Sequence, residues 1–141
     1  MKETIASAKM LFSIFGGLLG FMFGKLDGLL IALIVFVTID YVTGVMCAFA
    51  EKKLSSEVGA KGIMKKVAIF TLVALAHIID TVILKGVDGS TFRTAVIFYY
   101  LSNEGLSITE NATRLGLPVP KKLRSVLEQL NEEDDNNDSE R

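Results

Sequence analysis

The sequence predicts an all-α membrane protein of about four transmembrane helices, followed by a short amphipathic helix and a disordered acidic tail. Three observations carry this. Half of the 141 residues are hydrophobic, and they fall in long blocks without the polar stripe of a soluble amphipathic helix. Basic segments alternate with nearly neutral turns between those blocks. The last ten residues gather acids while the blocks hold few charges. On this reading residues 1–112 form the transmembrane region, 113–130 a cytoplasmic juxtamembrane segment and 131–141 the tail.

The first block is about Thr4–Gly24, with Lys9 near enough to its start to snorkel to the surface. Lys2 and Lys9 before an apolar run resemble the start of a signal peptide. No small-x-small site follows, and Phe21-Met22-Phe23-Gly24-Lys25 matches one poorly, so the block is expected to remain. Lys25-Leu26-Asp27-Gly28 makes a tight turn. The second block, Leu29–Ala50, is long enough to cross a bilayer core. A polar, lysine-rich connector, Glu51–Lys66, leads to a third block, Val67–Leu84. Lys85–Ser90 has turn chemistry, and Thr91–Ile108 is the fourth and least apolar block. Leu115-Gly116-Leu117-Pro118-Val119-Pro120 cannot continue a helix. Lys121–Leu130 then puts Leu123, Val126, Leu127 and Leu130 on one face, suited with Lys121, Lys122 and Arg124 to the inner membrane surface. Asn131–Arg141 reads as a disordered acidic run.

Charge sets the orientation. Lys2 and Lys9, then Lys52, Lys53, Lys61, Lys65 and Lys66, then Arg114, Lys121, Lys122 and Arg124 alternate with loops of one lysine and one aspartate each. The positive-inside rule therefore expects four spans with both termini in the cytoplasm.

Asp40 is the most informative residue. A carboxylate amid a spanning helix costs roughly 2.5–3.5 kcal/mol, offset by about ten large apolar neighbours at roughly 0.3 to 0.6 kcal/mol each. An acid kept there is a functional or assembly site by default. His77 and Asp80 share a face of the third helix. By depth, Asp80 at about 6 Å and Arg93 at about 3–4 Å below the outer surface are expected to pair. Glu104 is expected to meet Lys65 or Lys66. Asp40 and His77 are left closest to the midplane, either to pair with each other or to line an aqueous path. Gly16, Gly20 and Gly24 recur every fourth residue, a face for close helix association within or between chains.

Enzymatic chemistry finds no support. The contexts Ile39-Asp40-Tyr41 and Ile79-Asp80-Thr81 do not match intramembrane aspartyl proteases, and no serine elbow or phosphate loop is present. No catalytic residue, cofactor or metal is expected: a single His and two Asp make a poor metal site. Cys47 is the lone cysteine and is expected to pack as a small hydrophobe. The net charge of −1 gives no argument for a nucleic-acid partner, and none is expected.

Taken in order, several pieces resemble one family. Asp40-Tyr41-Val42-Thr43-Gly44 ends the second span, and Leu54-Ser55-Ser56 with Lys61-Gly62-Ile63-Met64-Lys65-Lys66 forms the connector. Asp80 lies in the third span and Phe92-Arg93 opens the fourth. Asn103-Glu104-Gly105-Leu106-Ser107-Ile108-Thr109-Glu110-Asn111-Ala112 runs into Leu115-Gly116-Leu117-Pro118-Val119-Pro120. From Asp40 to Leu130 this order is similar to the phage lysis and toxin-secretion holins of Gram-positive hosts. The resemblance implies a non-enzymatic homo-oligomer in the lipid bilayer. It would open a lesion through which a cell-wall hydrolase or toxin leaves the cytoplasm, ending in host lysis or secretion. It also implies that Met10 can be a second start, the longer product acting as an antiholin; the plain alternative is a membrane-facing methionine. A different class stays open: a small ion channel or transporter accessory subunit, with Asp40, His77 and Asp80 serving ions or protons.

Overall fold

The computed structural model describes residues 1–85 and 90–139, with 133–139 as backbone only. Among them the chain is all helical: α1 Lys2–Phe23, α2 Gly28–Ala50, α3 Ser56–Ile78, α4 Thr91–Arg114 and α5 Lys121–Ser139. At its end α3 widens into one π-helical turn, Ile79–Ile83. The turn expected at Lys85–Ser90 falls mostly outside the described residues.

Local chemistry sets each boundary. Asp27 begins α2 by accepting the Leu30 N–H at 3.0 Å, satisfying one of the orphan donors of a helix start. Ser55 does the same for α3 through the Val58 N–H at 3.2 Å, with Glu57 in the first turn. The third helix therefore starts well before Val67. The expected connector shrinks to Glu51–Ser55, and Lys61, Lys65 and Lys66 become helical. At the end of α4, Leu117 N–H bonds to Ala112 O and Gly116 N–H to Thr113 O, both at 3.0 Å. Gly116, at φ 86°, supplies the left-handed residue this double closure requires. The chain reverses there, and α5 folds back along α4. It also runs past Leu130 to Ser139, correcting the expected disorder from Asn131. Leu127 and Asn131 dock the helix on α4, and once a docked turn exists each further helical residue adds a hydrogen bond at low entropic cost.

Three helices, Lys2–Phe23, Gly28–Ala50 and Ser56–Ile83, are long and apolar enough to cross a membrane. At 24 residues α4 is as long, but Arg93, Glu104, Glu110 and Arg114 punctuate it. It nevertheless lies along α2 from end to end: Arg93 is tied to Asp27 at the start of α2, and Arg114 to Glu51 just past its end. Between these ties Leu30, Leu33 and Val37 of α2 meet Ile69 and Val73 of α3 and Ile97 of α4 in an apolar core. Phe23 closes it edge-on against Phe70, with ring centroids 6.3 Å apart. No residue of α1 itself is buried; it leans mainly on α3, and its last residue, Phe23, also meets Arg93 of α4.

Candidate functional site: two polar clusters in one bundle

The inner cluster joins three helices through one ammonium. Lys66 Nζ of α3 donates both to Asp40 Oδ2 of α2 and to Glu104 Oε2 of α4. All three side chains are largely buried, at 17%, 11% and 9% exposure. Asn111 Nδ2 donates to Asp40 Oδ1 at 3.1 Å, to the Asp40 carbonyl at 3.3 Å and to Thr43 Oγ1 at 2.9 Å. The Cys47 thiol donates to the Asn111 carbonyl at 3.3 Å. Two carboxylates thus share one ammonium, and Asn111 adds neutral donors on the Asp40 side. Beside the cluster a Cβ on Gly62 would stand only 3.1 Å from the Tyr41 ring, so glycine lets α3 approach α2 closely there. Clefts of about 210 and 430 Å³ adjoin the cluster, both lined by Asp40, Lys65, Lys66 and Ser107.

The outer cluster pins helix ends. Asp80, turned by the π segment, accepts the Phe92 N–H at 3.1 Å and the Arg93 N–H at 2.8 Å. It thereby caps α4 from another helix, where Ser90 makes no side-chain cap. The Arg93 side chain, 4% exposed, reaches the other way. Its Nε donates to Phe23 O at 2.7 Å, Nη2 to Lys25 O at 2.9 Å and Nη1 to Asp27 Oδ2 at 2.8 Å. Arg93 thus satisfies carbonyls left open where α1 ends. The hydrogen bond from Arg93, then that from the Leu30 N–H, holds the Asp27 carboxyl below its usual pKa. At the opposite end Arg114 donates to Glu51 at 2.8 and 3.0 Å and lowers that carboxyl likewise. Asp40 lies thirteen helical steps beyond Asp27, roughly 20 Å at 1.5 Å per residue. The apolar core fills that interval.

Each residue singled out in the sequence has a place. Glu104 meets Lys66, as expected. Asp80 and Arg93 do meet, but through the Arg93 backbone rather than as an ion pair, because Asp27 and two carbonyls take the guanidinium. Asp40 does not pair with His77: Lys66 and Asn111 satisfy it, and His77 sits nearer the outer cluster. There the His77 ring fills the space beside Gly24, where a Cβ would lie 2.8 Å from its Cε1. Its Nδ1 is buried without a partner among the described atoms. Gly24 does not continue the glycine face. It ends α1 at φ 76°, a conformation that suits glycine. Gly16 and Gly20 stay on α1 with nothing within 4 Å of an added Cβ, so neither faces another helix of this chain. Met10 is exposed on α1.

The sequence reading missed Asn111, Asp27 and the full role of Lys66. Asn111 is neutral and close to the end of α4. The bond of Lys66 to Asp40 was hidden by reading the segment before Val67 as a loop. The signal that exposes it is Ser55 followed by Glu57, an N-terminal cap with an acid in the first turn.

The model of a bacteriophage holin family matches residues 17–132. A protein of Bacillus phage phi105 described as a probable holin is 35% identical over 116 residues, covering 82% of each chain. An uncharacterized protein of Listeria monocytogenes, Lmo0128, is 44% identical over 113 residues, 80% of this chain and 79% of its own. An uncharacterized 14.9 kDa protein in the nagH 3' region of Clostridium perfringens is 42% identical over 118 residues, 82% and 86% of the two chains. No solved structure matches significantly.

Proposed function

We propose that this chain, which belongs to the bacteriophage holin family, oligomerises in the bacterial cytoplasmic membrane and opens a lesion large enough to release a folded protein. The family forms membrane pores and is not enzymatic. The match over residues 17–132 carries the reading. The cargo is a cell-wall hydrolase, or in a secretion setting a toxin, and the outcome is host lysis or protein release. Four spans with cytoplasmic termini are the topology, supported by α4 lying beside α2 between its two terminal ion pairs and by the alternation of basic segments.

The geometry suggests how the lesion is held closed. Asp40, Lys66 and Glu104 face one another, so these three charges are turned away from lipid. Association of several chains, with α1 outward and its Gly16 and Gly20 free of internal partners, competes for the same helices. When α2, α3 and α4 part, three charged groups become available to line water rather than one another. A longer product from Met1 and a shorter one from Met10 would differ by Lys2, Glu3 and Lys9, extra charge that delays insertion of the first span, giving an inhibitor and an effector.

Inducible expression beside a cytoplasmic cell-wall hydrolase tests this. Sudden depolarisation after a delay, with lysis only when hydrolase is present, is the expected result. Depolarisation with the hydrolase retained would mean a small ion channel, and a steady potential with normal growth an accessory subunit.

A further inference from the structure

Helix α5 docks where lipid would otherwise be expected. Ser102 and Gly105 lie midway along α4, roughly 14–18 Å from both Arg93 and Arg114 at 1.5 Å per residue. Leu127 of α5, 8% exposed, sits on Gly105, where a Cβ would stand 2.7 Å from Leu127 Cδ2 and 3.3 Å from Phe36. The Ser102 hydroxyl is 3.3 Å from Asn131 Oδ1, and Ser102 is wholly buried. These two contacts fix α5 antiparallel to α4, entering from the Arg114 end and continuing to Ser139.

The rest of α5 is unfit for hydrocarbon. Arg124 and Glu128 form an exposed ion pair at 3.0 Å. Gln129 and Glu132 are exposed as well, and the chain then reads Glu133-Asp134-Asp135. Charged side chains at bilayer depth face protein or water, not lipid. Among the described helices α5 packs on α4 alone, so no second helix of this chain screens its outer side.

We propose that the α4 face bearing Ser102 and Gly105 lines the aqueous interior of the assembled protein, and that α5 of the same chain fills that interior as a withdrawable plug. The inference rests on the four-span topology proposed above. It assigns opposite duties to two faces of α4: Glu104 locks the bundle through Lys66, and Ser102 with Gly105 seats the plug. Withdrawal breaks the packing of α5 on α4, the Leu127 and Asn131 contacts included, with the turn at Gly116 as pivot.

Thiol labelling distinguishes water from lipid at that face. In a Cys47→Ser background, Ser102→Cys and Leu117→Cys are each exposed, in inverted membrane vesicles, to a membrane-impermeant maleimide. Leu117→Cys should label at once. Ser102→Cys should be protected while α5 is docked and label at least tenfold faster once Leu127→Glu, or deletion of residues 121–141, removes the plug. Using both alterations separates loss of the plug from damage to the bundle. Protection of Ser102→Cys in every form would mean that lipid replaces α5, and rapid labelling with α5 intact that nothing is plugged; either overturns the proposal alone. Failure to label Leu117→Cys would overturn the four-span topology, and the plug with it.

Discussion

Replacing Lys66 by methionine removes the ammonium while keeping the apolar length of the side chain, and so isolates the ionic part of the inner cluster. The carboxylates of Asp40 and Glu104, 11% and 9% exposed, would lose the one cation they share. Removing one partner of a buried ion pair costs about 3–5 kcal/mol because the other charge stays desolvated. Asp40 keeps the Asn111 amide at 3.1 Å, so most of the loss falls on Glu104. The folded-to-unfolded ratio should drop by about two to four decades. Neutralising all three, with Asp40→Asn and Glu104→Gln added, should recover most of this, since a neutral set leaves no unpaired charge. Reversible unfolding in mixed micelles, followed by circular dichroism, measures each variant. A Lys66→Met protein within about 1 kcal/mol of the parent, well under the expected loss, would refute the reasoning. So would a triple variant no more stable than the single.

Asp80→Ala should destabilise by about 2–4 kcal/mol, as two N–H groups at the start of α4 lose a charged acceptor, with Asp80→Asn intermediate in the same unfolding assay. Asp27 contributes stability above its unfolded pKa of 3.8, lost as pH falls through its lowered folded value. The parent and Asp27→Asn, which keeps a cap, should therefore differ at neutral pH and converge in acid below about pH 3.8, as a pH series of unfolding midpoints would show. Lys52 ends α2 at φ 56°, with Lys53 N–H bonded back to Ala48 O at 2.8 Å. Lys52→Gly should thus stabilise by about 1 kcal/mol, measured the same way.

The helices were legible wherever apolar blocks met clear caps. Asp40, Asp80, Arg93 and Glu104 stood out for a sound reason: charge inside an apolar block needs a partner, and each is buried with one. Which partner was another matter. Pairing opposite charges by depth put Asp80 with Arg93, but the guanidinium turned to Asp27, read only as a turn residue, and to the Phe23 and Lys25 carbonyls, which leave no mark in a sequence. Asp40 and His77 were left together near the midplane, to pair or to line water, because Lys65 or Lys66 was assigned to Glu104 alone; Lys66 on α3 in fact serves both acids. Asn111 bears no charge, so nothing in a charge-based reading points to it. The helical course of α5 beyond Leu130 depends on its docking against Gly105 and Ser102, a tertiary contact that acidic composition hides.

The central claim is a lesion wide enough for a folded protein. Purified protein reconstituted in vesicles holding both a small dye and a folded enzyme of hydrolase size tests it most directly. The account predicts that dye and enzyme escape together once enough protein has accumulated. Escape of the dye with the enzyme fully retained would contradict it.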